Sequence, residues 1–377
     1  MRFGVYLTTA QPPGHSPEAV FDNAVRYAQK AEDLGFDGAW VFEHHFSRFG
    51  LSNAPLTLAA YLLGHTTRLR VGTSITVVPL YHPIRLAEQV ALIDQVSHGR
   101  LDFGVGRGTC KPDFDFFGVD MGETHTILSE YMDIIERAWR DDVVESDGAY
   151  VKFPAVPVYP RPWTKPRPTV YAAAESPRTT EWAASRGYPM LLNHWIEEEA
   201  MLSQLELYEE TSLASGHDPA AMEHIFSCIA YLDESREAAR REVRDNLAWW
   251  RRVGIAGAYK FEELRRLPNY EFHFRRWEDE VLKSGGNRDE AFEKSLDHMI
   301  EINPIGTVEQ CVERLGRVIE RTGIRHVVCG FEGSGDPDKT IGNMARFAAE
   351  VMPELRRIGA TARSGAGGGT QLSVTPT

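Results

Sequence analysis

Four cysteines in 377 residues, Cys110, Cys228, Cys311 and Cys329, lie far apart, with no CxxC pair and no Cys/His spacing of the kind metal sites use. Neither a disulfide framework nor a zinc centre is expected, and no metal is assigned. No stretch of about 18 apolar residues occurs, so no membrane-crossing helix is expected. The chain opens on a strand-like run, Arg2-Phe-Gly-Val-Tyr-Leu7, with no basic and apolar leader, and a cytoplasmic location is the expectation. Lysine is scarce, 8 of the 41 basic residues, and acidic residues outnumber basic ones 54 to 41, a net charge of −13. That balance argues against nucleic acid or an anionic membrane and leaves a small molecule as the expected partner. No Gly-Lys-Ser/Thr closes a glycine-rich loop and no full GxGxxG is present, so Walker and dinucleotide fingerprints are both missing.

What is present is 42% hydrophobic residues, enough for a large core, distributed in short apolar runs that alternate with longer amphipathic ones. Strands are predicted near 2–8, 38–42, 69–78, 101–106, 168–174, 188–193, 225–231 and 325–330. Helices are predicted near 16–34, 54–66, 83–98, 125–141, 176–187, 197–215, 235–253, 307–322 and 336–357. Eight strands with intervening helices predict an α/β fold closed as a (β/α)8 TIM barrel, a single domain over 1–357. The stretch 143–167, rich in Pro and Tyr, reads as an excursion with little regular structure. Residues 256–302 exceed what a βα connection needs, and with the Ser-Gly-Gly-Asn turn at 284–287 they read as a mobile lid inserted before the last strand. The small and polar residues 358–377 read as a disordered tail.

Barrels of this kind collect their chemistry where strands end. After the second strand comes Glu43-His44-His45-Phe46, where a neutral imidazole beside a carboxylate can accept a proton near pH 7; paired loop histidines serve packing as often. After the fourth comes Gly104-Val-Gly-Arg-Gly-Thr-Cys-Lys-Pro-Asp113, in which glycines allow close approach of a ligand and Arg107 offers a forked cation; a structural turn explains the glycines equally well. Glu175-Ser176-Pro177 opens a helix after the fifth strand. Ordinary capping accounts for Ser176, but together with Arg107 the helix N-terminus describes a phosphate pocket. After the last strand, Glu332 would repel phosphate, so that loop is assigned to shaping the pocket, and Cys329 reads as a buried strand residue.

These runs, together with Ala31-Glu-Asp-Leu-Gly-Phe-Asp37, Tyr81-His-Pro-Ile-Arg85, Asp94-Gln-Val-Ser-His-Gly-Arg100, Glu301-Ile-Asn-Pro-Ile-Gly306 and Cys329-Gly-Phe-Glu332, resemble the bacterial luciferase-like flavin monooxygenases, on the side of the luciferase (alkanal monooxygenase) α subunit, over about residues 1–357. The resemblance implies reduced FMN and O2 as co-reactants, a flavin C4a-peroxide as oxygenating species, and a separate NAD(P)H:flavin reductase that supplies the reduced flavin. It implies His44 as catalytic base, with Asp113 near the flavin ring tuning it electrostatically. Arg107, Glu175, Ser176 and Thr179 match the flavin-phosphate segment, Glu43 and Glu332 resemble pocket residues, and Lys283 falls where the lid closes. A closing lid and a dry pocket suit a reactive intermediate that water would destroy.

The departures concern the substrate. Gly106 stands where luciferase α subunits carry a reactive cysteine, Thr109-Cys110 replaces Leu-Tyr, and Asn193-His194-Trp195 replaces a Ser-Trp sequence. These changes predict a larger pocket and hydroxylation, epoxidation or Baeyer–Villiger-type insertion on a bulky substrate, such as a natural-product intermediate. Light emission with long-chain aldehydes is the alternative; deazaflavin-dependent hydride transfer and a non-catalytic flavin-binding subunit rank lower. The small and apolar residues of 55–64 and 86–93 predict a homodimer.

Overall fold

The computed structural model describes residues 1–193, 196–258, 266–267, 270, 278–279 and 281–366. Eight parallel strand positions form a closed ring: β1 (Arg2–Leu7), β2 (Gly38–Val41), β3 (Arg70–Thr73) with its short continuation β4 (Thr76–Val77), β5 (Leu101–Gly106), β8 (Thr169–Ala173), β9 (Met190–Leu192), β10 (Ile225–Ile229) and β13 (His326–Gly330). β1 pairs with both β2 and β13, and β3 pairs with β5, so no edge is left. The predicted (β/α)8 barrel is thus the fold.

Strand residues alternate between two interiors. Trp40, Tyr171, Leu191, Ile225 and Val328 fill the bore, with Tyr6 and Ile75 against them. Gly72 is what admits the Trp40 ring, because a Cβ there would lie 2.3 Å from it. Phe3, Val5, Leu7, Val71, Phe103, Val105 and Val327 face outward into the main core beneath the helices. Those helices are α1 (Pro17–Asp33), α2 (Pro55–Gly64), α3 (Pro83–Ser97), α5 (Thr124–Arg140), α6 (Pro177–Ser185), α7 (Glu198–Ala214) and α8 (Arg236–Ala258), followed by α9 (Arg288–Ile302), α10 (Val308–Thr322), α11 (Pro337–Arg346) and α12 (Met352–Ala366). A short α4 (Lys111–Phe117) follows β5, and β11 (Tyr231–Leu232) pairs with β12 (Ile305–Gly306) above the ring.

Three expectations change. The excursion at 143–167 contains an antiparallel hairpin, β6 (Val144–Asp147) with β7 (Lys152–Val156). Its turn is held by one carboxylate, Glu130 on α5, which accepts the N–H groups of Ala149, Tyr150 and Val151 at 2.9–3.1 Å. Within the segment read as a lid, residues 288–302 form α9, whose Phe292, Leu296, Met299 and Ile300 pack with Val243, Leu247 and Trp250 of α8. Asn287 caps that helix, its side chain accepting from the N–H groups of Asp289 and Glu290, so the Ser-Gly-Gly-Asn turn is a helix start. Most of 259–280 lies outside the described residues. Finally, α12 runs to Ala366, with Met352 and Leu355 buried, so the helical body extends past 357; residues 367–377 lie outside the described residues.

One ion cluster ties the ring of helices together. Glu198, at the start of α7, accepts from Arg314 and Arg317 of α10 at 3.0 Å each and also from Arg321. Glu198→Ala leaves three guanidinium groups facing one another and should cost about 1–3 kcal/mol, at the low end for a buried pair because Arg317 and Arg321 retain access to water. Denaturant unfolding checks this, and an unchanged midpoint would show the clamp to be ornamental.

Candidate active site

β5 and β8 are hydrogen-bonded neighbours, in register from Asp102 opposite Thr169 to Val105 opposite Ala172, so the loops that leave their carboxyl ends lie side by side. Arg107 stands on the first loop, buried to 8% exposure, with its guanidinium 4.1 Å from the ring centre of Tyr270. Tyr270 is fully buried; its hydroxyl donates to the Gly108 carbonyl at 2.8 Å and meets Thr124 Oγ1 at 2.9 Å. This residue of the long 256–302 segment therefore reaches down and stacks on the arginine. On the second loop Ser176 caps α6, accepting the Thr179 N–H, and its hydroxyl lies 3.0 Å from Thr179 Oγ1, with Pro177 at the first helical position. Arg107 and the Ser176–Thr179 helix start therefore stand on the ends of adjacent strands. A helix N-terminus beside a fixed guanidinium is a site for an anion of phosphate size.

His125, in the first turn of α5, belongs to the same place, since both Arg107 and Arg178 act on its ring. It is 9% exposed, and its buried Nε2 has no hydrogen-bond partner. A lone histidine at a helix start carries no sequence signal, and nothing short of the fold reveals it. Glu175 accepts the Asn193 side-chain amide, a bond that bridges the ends of β8 and β9.

The second half of the site is an acid–base cluster. Glu43 is buried; one carboxylate oxygen lies 3.1 Å from His45 Nε2 and the other accepts the Val77 N–H at 2.8 Å. Burial pulls the His45 imidazolium down, but the hydrogen bond and charge of Glu43 outweigh it and hold His45 above the ordinary histidine value. Burial, reinforced by His45, drives His44 down to about 4, so it is a neutral acceptor at pH 7. Its Nδ1 lies 3.9 Å from Cys110 Sγ, and its ring packs on Phe49 at 4.6 Å, which in turn stacks on Trp250. Cys110 therefore lines the His44 side of the pocket. Burial also pushes the Cys110 thiol up to about 12, which makes it a wall and not a nucleophile.

Asp113, on α4, faces the same cluster. Burial pushes its carboxyl up to about 6, with His45 opposing and Glu43 reinforcing the shift. The folded state therefore favours the protonated acid: its contribution to stability is complete below about pH 3.8 and is lost as the pH rises through about 6. Asp113→Asn should accordingly raise the melting temperature relative to the parent at pH 8 and give no advantage at pH 4. An equal shift at both pH values would contradict the buried-acid account.

Gly106 leaves no added room, because a Cβ there would meet Ile75 Cδ1 at 2.2 Å: the tip of Ile75 occupies the space. Glu332, read as a pocket-shaping residue, accepts the Thr8 N–H at 2.9 Å and the Thr8 hydroxyl, while burial raises its carboxyl above the usual range. Lys283 is exposed, and among the described residues no contact brings it to the site. His194 and Trp195 lie outside the described residues.

The family model for luciferase-like monooxygenases matches residues 1–326. The alkanal monooxygenase alpha chain of the Kryptophanaron alfredi symbiont is 39% identical over 356 residues, 94% of this chain and 99% of that one. The corresponding chain of Photorhabdus laumondii is 38% identical, with 94% and 98% covered. Among solved structures, monooxygenase RslO1 from Streptomyces bottropensis superimposes with a TM-score of 0.79 at 24% identity, covering 94% of this chain and 99% of that one. The oxygenating constituent of 3,6-diketocamphane monooxygenase from Pseudomonas putida, in complex with FMN, does so at 0.76 and 19%, covering 94% and 98%; both share the fold. With a closed barrel, strand-end loops that meet at Arg107 and Ser176, and likeness along nearly its whole length, the chain belongs to the luciferase-like monooxygenase family.

Proposed function

We propose that this protein is a reduced-FMN-dependent monooxygenase that oxygenates a carbonyl substrate, with long-chain aldehydes the first class to test. The observation that carries the reading is the pairing of an anion pocket, Arg107 with the α6 N-terminus, with a buried imidazole, His44, that burial keeps unprotonated. The residues present suit a flavin phosphate: Arg107 and the capped α6 start with its two hydroxyls stand on adjacent strand ends, and His125, whose buried Nε2 is unpartnered, feels the charges of Arg107 and Arg178.

Bound reduced FMN supplies the two electrons for O2 activation, and the balance is aldehyde plus FMNH2 plus O2 giving carboxylic acid, FMN and water. Arg107, Ser176 and Thr179 would hold the phosphate, and Tyr270 fixes the Arg107 plane from the opposite side. His44 Nε2 would take or return the proton that moves at the reacting oxygen, its ring fixed by Phe49 and Cys110. Phe42, Phe49 and Trp250 line this end with apolar surface that limits water.

Aldehydes come first for two reasons. The relatives at 38–39% identity are named alkanal monooxygenases, and the enlargement expected at Gly106 is taken up by Ile75. The Asn193-His194-Trp195 departure favours a bulkier substrate as the second reading. Supplying reduced FMN, O2 and decanal should yield decanoic acid, and photon counting in the same mixture reports whether light accompanies it. Turnover of a bulky ketone with decanal untouched would select the second reading, and turnover of neither would reject both.

A separate NAD(P)H:flavin reductase is proposed as the source of reduced flavin. We also propose a homodimer through α2 and α3, which pack together and leave Tyr61, Leu92 and Val96 exposed on their outer faces. Mass measurement across a concentration series should find the dimer at micromolar protein; monomer throughout would end that proposal.

A further inference from the structure

Among the described residues His125 is the imidazole on which Arg107 and Arg178 both act, and its environment is unbalanced. More than nine-tenths of the residue is buried, and Nε2 is shut off from water with no hydrogen-bond partner. From α6, Arg178 faces the ring with both its guanidinium charge and its backbone carbonyl; from the loop after β5, Arg107 adds a second positive charge. The neighbouring Thr124 hydroxyl bonds Tyr270, whose ring lies against Arg107, so His125 sits one residue from the stack that covers the arginine. On its own helix the nearest carboxylate, Glu123 at the N-cap, is engaged by the Tyr150 hydroxyl at 2.6 Å. Among the described residues no carboxylate is thus one of the groups acting on the ring. A buried, unpartnered nitrogen that feels two cations lacks one thing, an anion.

Resting on the FMN reading above, we propose that His125 is a proton-dependent ligand of the flavin phosphate: the arriving dianion draws a proton onto Nε2, so that affinity for phosphorylated flavin falls with rising pH while affinity for riboflavin does not. Without the anion, burial and the two arginines hold the ring neutral, near a pKa of about 4. With it, the charged form gains a direct partner and the same two arginines are neutralised, so the imidazolium becomes stable at higher pH. Binding and protonation are linked, and the dependence can approach ~10-fold per pH unit where the proton is present only in the complex. Above pH 7 the phosphate itself is already a dianion, its second ionisation lying near ~6, so a fall in affinity there reports the protein group.

The experiment is titration of the full-length protein with oxidised FMN and, in parallel, with riboflavin between pH 7 and pH 9, followed by calorimetry of FMN binding in buffers of different ionisation enthalpy. The expected result is an FMN affinity that drops about three- to tenfold over that interval, a flat riboflavin affinity, and net uptake of up to about one proton per FMN at pH 7. His125→Gln should flatten the FMN profile, and His125→Arg should give tight, pH-independent binding. Tight FMN binding with no proton uptake and no pH slope in the unmodified protein would overturn the role of His125 while leaving the flavin reading intact. Binding of neither FMN nor riboflavin at any pH would overturn both. The calorimetric measurement needs no variant, so a folding defect in either substitution leaves the decision unaffected.

Discussion

His44→Ala is expected to lower oxygenation turnover by about 10²–10⁴ while reduced FMN still binds, the loss typical of removing a general base or acid. The expectation follows from placement. His44 is held between Phe42 and Phe49 with Cys110 at its Nδ1, contacts that do not include Arg107, Ser176 or Thr179. On the proposed roles, binding rests on Arg107 and the α6 start and proton transfer on His44, so one should fail without the other. His45→Ala would be the contrasting change: it releases Glu43 from its ion pair and disturbs the Val77 end of the loop, so stability and binding should suffer together. Stopped-flow turnover and anaerobic flavin titration separate the two. Unchanged turnover in His44→Ala would place the proton acceptor elsewhere.

Arg107→Ala is expected to weaken FMN binding about 10- to 100-fold, the range for loss of a charge-assisted hydrogen bond, with a much smaller effect on riboflavin. Two contributions disappear together, the cation for the phosphate and the surface on which Tyr270 rests. Arg107→Lys keeps the charge but loses the planar contact and should recover only part of the affinity. Equal losses for FMN and riboflavin would show that the arginine shapes the loop without meeting the phosphate.

The barrel was legible because each buried strand is a short apolar run set between amphipathic helices, a local pattern that survives into the fold almost residue for residue. The strand-end rule then singled out Glu43, His44, Arg107 and Ser176 as candidates without any knowledge of contacts. What stayed hidden depends on partners distant in sequence. Ile75 entering the space beside Gly106, Thr8 claiming Glu332, and Asn193 claiming Glu175 are each decided by which strand ends lie together, not by local spacing. Tyr270 lies 163 residues from the arginine it covers. Helix α9 escaped notice because its charged outer face masks a stripe of Phe292, Leu296 and Met299 at helical spacing. The hairpin at 144–156 depends on a single carboxylate, Glu130, in the preceding helix.

The most direct test of the account uses isotopic oxygen. Protein loaded anaerobically with reduced FMN is mixed with decanal and 18O2, and the products are read by mass spectrometry. Decanoic acid carrying one 18O atom per molecule is predicted, with His44→Ala returning the oxygen chiefly as hydrogen peroxide. Recovery of all the labelled oxygen as hydrogen peroxide from the unmodified protein, with decanal unchanged, would contradict it.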